Sequence, residues 1–115
     1  MSPHPLQLLS YYAAKTSKIT LGTCVIVLPW HDPIRVAEQI AYLDLLCGGR
    51  CMFGFGRGAA SVEYEGFRIP MDEARPRFAE AAQEMAFAAE RLCFGRYCDT
   101  CCSRFFFTSS RAMMQ

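Results

Sequence analysis

Two arginines carry the most suggestive chemistry in this sequence. Arg57 sits in the run Gly54-Phe55-Gly56-Arg57-Gly58, and Arg75 stands just ahead of Pro76. Glycines beside an arginine let a ligand approach the backbone closely. A guanidinium there offers paired hydrogen bonds to a phosphate. The run is not the dinucleotide fingerprint, because its spacing differs and no helix opens at the glycines. Arg75 falls in the first turn of a predicted helix, where the dipole disfavours a cation by a few tenths to ~1 kcal/mol. Two readings stay open. Asp72 and Glu73 compensate Arg75 locally, or Arg57 and Arg75 converge on an anion that helix N–H groups also bind. Glu63 and Glu65 compete for the same two arginines.

Such a grip needs elements to position it. Residues 5–15 predict a helix presenting Leu6, Leu9 and Ala13. Residues 18–29 are rich in β-branched types, almost uncharged beyond their start, and closed by Pro29. That composition predicts a parallel strand buried on both faces. His31-Asp32-Pro33 marks a helix start, with Asp32 as cap and Pro33 at the first helical position. Val36, Ile40, Leu43 and Cys47 then form one apolar stripe, and Gly48-Gly49 stops the helix. Cys51 to Phe55 reads as a second strand. Strand, helix and strand at this spacing predict a right-handed crossover and a parallel sheet. Arg57 then lies at the carboxyl end of a parallel strand, where α/β folds place ligand sites.

After a loop at 57–71, Asp72 opens a second long helix with Pro76 inside its first turn. Phe78, Ala81, Ala82, Met85, Ala89 and Leu92 make its predicted buried stripe. Beyond Leu92 both periods are lost. Residues 1–92 therefore read as one α/β segment, and 93–115 as an unassigned tail rich in cysteine and phenylalanine.

The chain has 115 residues, 52% of them hydrophobic and 20% charged, which excludes a disordered or low-complexity segment. Twelve basic against eleven acidic residues leave a net charge of +1. That lacks the basic surplus with which a nucleic-acid binder displaces counterions. The N-terminus has no charged segment followed by a signal-like apolar core, and no apolar run approaches the ~20 residues of a spanning helix. The chain reads as soluble and cytoplasmic, with no membrane partner.

Seven cysteines is an odd and high count. Cys24, Cys47 and Cys51 lie in apolar surroundings and read as small buried hydrophobes. Cys47-x3-Cys51 with Cys98-x2-Cys101 offers four zinc ligands on paper. Cys47 belongs to a helix stripe and Cys51 to a strand, however, so no metal is assigned. Asp44 reads as structural, with Arg50 as its candidate partner. His31 reads as part of the helix start, and Trp30 as wall packing.

Taken together, AAKTSKITLGT, VLPWHDPIRVAEQIAYLDLLCGGR, FGFGRG and Glu63…Phe67…Arg75-Pro76-Arg77-Phe78 resemble the bacterial luciferase-like, flavin-dependent monooxygenases. The resemblance runs from about Leu8 to Met85. It implies a fragment of a (β/α)8 TIM barrel, here about two parallel strands with three helices. It implies flavin mononucleotide (FMN) at the carboxyl face, with Arg57 and Arg75 on its phosphate and a small organic substrate oxidised by oxygen. It places a non-proline cis peptide at Cys24-Val25 beside the flavin ring, with Gly56 nearby. The family's luciferases carry a reactive cysteine where this chain has Gly56, so no thiol chemistry transfers there. Their catalytic histidine and remaining phosphate ligands fall on segments outside this sequence, which predicts little turnover and leaves the catalytic residue unknown. Two alternatives are a deazaflavin-dependent oxidoreductase of the same superfamily and a non-catalytic partial barrel that forms a homo-oligomer.

Overall fold

A computed structural model describes residues 4–92 and 105–107. Helix α1 (Pro5–Lys15) begins on its proline and buries Leu6 and Ala13. Strand β1 (Leu21–Val27) follows and runs into a 3-10 turn at Leu28–Trp30. Helix α2 (Pro33–Leu46) is capped as predicted, its Asp32 carboxylate accepting the Arg35 N–H at 3.0 Å. Strand β2 (Cys51–Gly56) then pairs parallel with β1, Leu21 opposite Cys51 and Thr23 opposite Phe53. Helix α3 (Ser61–Gly66), a 3-10 turn at Met71–Glu73 and the long helix α4 (Ala74–Leu92) complete the helical layer.

A third parallel strand, β3 (Phe105–Phe107), pairs with β2 in the order β1-β2-β3. It falls in the stretch where the sequence carries neither the helix nor the strand period. Cys93, Cys98, Cys101 and Cys102 lie outside the described residues. The predicted loop at 57–71 contains α3, whose six residues are too few to show a helical period. No described helix is long and apolar enough to cross a membrane.

The core lies between one face of the sheet and the helices. Leu21, Ile26, Phe53 and Phe55 point into it, against Val36, Ile40 and Leu43 of α2 and Phe78 and Met85 of α4. Each fully buried side chain of this size contributes about 1.5–3 kcal/mol. The expectation that β1 is buried on both faces is overturned. Its burial alternates, and Gly22 and Cys24 on the second face are exposed. Cys24 therefore departs from the buried role predicted for it, while Cys47 and Cys51 keep theirs. The apolar composition of β1 is satisfied by a single covered face plus the cavity described below.

Arg50 does not pair with Asp44 as the sequence suggested. Its guanidinium donates to the carbonyls of Ile19 at 2.8 Å and Thr16 at 2.9 Å, and its Nε to that of Cys47 at 2.8 Å. These carbonyls include one just beyond α1, whose terminal acceptors have no helical donor. One cation thus ties the end of α1 to the start of β2. Replacing Arg50 with methionine keeps the stem but strips these charge-assisted bonds. We expect a loss of about 2–3 kcal/mol, read from the midpoint of urea unfolding.

Candidate functional site

The β1–β2 ladder breaks between Thr23 and Ile26, and the Cys24–Val25 peptide in this break is cis. Thr23 repairs the gap with its side chain. Its Oγ1 accepts the Gly54 N–H at 3.0 Å and donates to the Gly54 carbonyl at 3.1 Å. The strands approach so closely here that a Cβ on Gly54 would stand 2.7 Å from the Thr23 carbonyl oxygen. Only glycine permits that spacing.

The exposed side of this junction floors a cavity of about 510 Å³. The floor is the stretch from Gly22 to Val27, and the walls include Leu8, Trp30, His31, Glu63 and Phe67. Trp30 stacks on Phe67 with ring centroids 4.9 Å apart and meets Tyr64 edge-on at 5.6 Å. Tyr64 is buried, and its hydroxyl donates to the Arg57 carbonyl, which fixes the backbone just past β2. Burial raises the Tyr64 pKa, while the Arg57 charge and the nearby Trp30 N–H pull the other way. Gly58 has a φ of +79°, and a Cβ there would lie 2.8 Å from Val27 Cγ1. Two polar atoms on the cavity side, Trp30 Nε1 and His4 Nδ1, are buried and make no hydrogen bond of ordinary geometry.

His31 closes the turn after β1, its backbone N–H donating to the Leu28 carbonyl at 3.0 Å. Its ring is half-buried in the cavity wall, 6.0 Å from that of His4. Burial, and then the neighbouring His4, lower its pKa from 6.5. The ring is neutral at pH 7. As pH falls through 6.5 the unfolded chain takes up this proton before the folded one does, so the stability contributed by the neutral ring is lost on acidification. We expect stability to decline as pH falls through 6.5 and below, and His31→Gln to flatten that slope in urea titrations at each pH.

Cys24 and Val25 lie in the break of β1 and line the cavity. Gly56 ends β2 opposite Val27 and Arg57 follows it, and none of Gly56, Arg57 and Arg75 lines the cavity. Arg57 and Arg75 are both exposed, Arg75 in the first turn of α4. Helix α4 packs against the 3-10 turn that follows β1. The local-compensation reading of Arg75 fails for Glu73, whose carboxylate is taken by Arg77 at 2.8 Å. Among the described residues, neither Arg57 nor Arg75 has an ion pair, and Glu63 and Glu65 bind neither. Sequence reasoning missed Thr23 and Tyr64. The role of Thr23 depends on a glycine far along the chain, and Tyr64 sits on the helix that had no readable period.

Residues 1–96 match a family model described as luciferase-like monooxygenase. The chain is 35% identical over 98 residues to the uncharacterized protein y4vJ of Sinorhizobium fredii, covering 83% of this chain and 28% of that protein. It is 38% identical over 72 residues to the oxygenase component of a flavin-dependent trigonelline monooxygenase from Acinetobacter baylyi, covering 63% and 20%. Its fold is similar to that of the monooxygenase RslO1 from Streptomyces bottropensis. There the TM-score is 0.72 and the identity 35%, covering 74% of this chain and 26% of that one. The chain spans about a quarter of the length of these relatives.

Proposed function

This chain belongs to the luciferase-like monooxygenase family, and we propose that it forms the part of an FMN-dependent monooxygenase that seats the flavin. The observation that carries this reading is the pair Arg57 and Arg75, both exposed and without an ion pair among the described residues. Beside Arg57, Gly54 and Gly58 let neighbouring segments pack closely, which fixes the backbone at the end of β2.

The residues fit a flavin. The cavity of about 510 Å³ falls within the roughly 300–1,000 Å³ typical of ligand sites. Its floor includes Cys24 and Val25, and its wall includes Trp30 and His31. In this reading Arg57 and Arg75 bind the phosphate, with helix N–H groups of α4 sharing the charge. The backbone at Cys24–Val25 and around Gly56 lies along the ring and ribityl chain. Trp30 and Phe67, backed by the buried Tyr64, form an apolar wall that keeps water from that side. A bound reduced flavin supplies oxygen activation and transfer of one oxygen atom to a small organic substrate.

These residues furnish one wall of a site, so the chain by itself binds flavin and turns over little. The experiment is a fluorescence titration with FMN, riboflavin and a deazaflavin, followed by oxygen uptake with photoreduced flavin. FMN binding that exceeds riboflavin binding supports the reading. Equal affinity for FMN and riboflavin rejects the phosphate grip, preference for the deazaflavin selects the other cofactor, and robust oxygen uptake overturns the low turnover.

A further inference from the structure

A second cluster of ligating groups lies away from the cavity, where α2 ends and β2 begins. The Asp44 carboxylate and the sulfurs of Cys47 and Cys51 have donor atoms all within 4.8 Å of one another. All three residues are buried, Asp44 5%, Cys47 3% and Cys51 0% exposed. The two sulfurs are 3.0 Å apart, and both cysteines are free thiols. Asp44 Oδ1 is buried with no hydrogen-bond partner. An unpaired carboxylate oxygen in a core is costly and calls for a cation or a donor. Arg50 does not serve, because its hydrogen bonds go to Cys47, Thr16, Ile19 and Ala13.

We propose that Asp44, Cys47 and Cys51 bind a divalent cation of the zinc class, stapling the end of α2 to the first residue of β2. Two thiolates and a carboxylate are a donor set that zinc accepts, with water in the fourth position. On binding, both S–H bonds break, two metal–sulfur bonds form, and two protons pass to solvent. Tetrahedral zinc with bonds of ~2.3 Å sets its sulfurs about 3.8 Å apart, so the pair opens by less than about 1 Å. The connection between the two cysteines can give by that much. Gly48 and Gly49 both have positive φ, and Gly48 is exposed with open space around it. Cys98 and Cys101, the other two ligands of the fourfold-cysteine arrangement, lie outside the described residues.

The test uses the full chain with Cys93, Cys98, Cys101 and Cys102 changed to serine, so that those thiols cannot bind metal. Cadmium chloride is titrated while the ultraviolet thiolate-to-cadmium band and proton release are followed. One cadmium per chain with release of two protons is expected. Cys47→Ser, Cys51→Ser and the isosteric Asp44→Asn should each weaken binding at least about 100-fold, since even an outer-shell change costs 10–100-fold. Cys24→Ser should leave it unchanged. Zinc-edge X-ray absorption of the zinc-loaded chain needs no substitution at the site and should show two sulfur and two oxygen neighbours. No band, a band lost with Cys24→Ser and kept with Cys47→Ser and Cys51→Ser, or a different neighbour set overturns the proposal.

Discussion

Gly54→Ala is expected to cost the fold about 2–4 kcal/mol, while Gly22→Ala on the same exposed side of the sheet stays within about 1 kcal/mol of the parent. The contrast comes from distances. A Cβ at position 54 would meet the Thr23 carbonyl oxygen at 2.7 Å, a backbone atom that cannot swing aside. Relief requires β1 and β2 to part, which breaks both hydrogen bonds between Thr23 Oγ1 and Gly54. A Cβ at position 22 would meet its nearest neighbour, the Met52 carbonyl oxygen, at an ordinary 3.6 Å. Against a total stability of roughly 5–15 kcal/mol, the first loss is large enough to move the urea midpoint well outside measurement error. Gly22 also lies on the cavity floor. The alanine there should leave unfolding nearly unchanged yet weaken flavin binding. Parallel unfolding and titration curves for the two variants separate a strand-packing role from a cradle role. Equal stability of the two variants would mean that the close approach at Gly54 is not a constraint.

How far such a site is legible depends on whether its signal is local. Helix α2 is readable because a cap, a proline and an apolar stripe agree within one segment, and Asp32 does cap it. The parallel pairing of β1 and β2 follows from the same crossover. Composition could not reveal that β1 has an open face, since an apolar strand beside a cavity and one under a second layer use the same residues. Three phenylalanines show no alternation, so β3 is invisible until β2 stands beside it. Asp44 looks like the edge of a stripe. Its burial follows from standing four positions after Ile40, a helical neighbour on the same face. The site is half legible. Arg57 and its glycines are marked by type and place, but Thr23 acts through a partner 31 positions away. The ambiguity at Arg75 rests on which arginine Glu73 chooses. The i,i+4 spacing across the start of α4 gives Glu73, the last residue of the preceding 3-10 turn, to Arg77.

Arg57→Gln and Arg75→Gln should each lower FMN affinity about 10–100-fold, and neither should change riboflavin affinity. A charge-assisted hydrogen bond contributes about 1.5–3 kcal/mol, and each 1.4 kcal/mol is a factor of about ten. Glutamine keeps a donor and much of the stem, so what it removes is the charge and the fork. Both side chains are exposed and lack ion pairs among the described residues, which keeps the stability change within about 0.5 kcal/mol. Binding loss can then be read without a folding correction. If both guanidinium groups hold one phosphate, the double variant should lose less than the sum of the single losses, because removing either arginine also lets the phosphate shift off the other. Raising salt should weaken FMN binding and leave riboflavin binding nearly level. Equal losses for the two ligands, or strictly additive losses with no salt dependence, would place the arginines on different partners. With a shared phosphate, the coupling energy between the two positions measures how closely the end of β2 and the first turn of α4 converge.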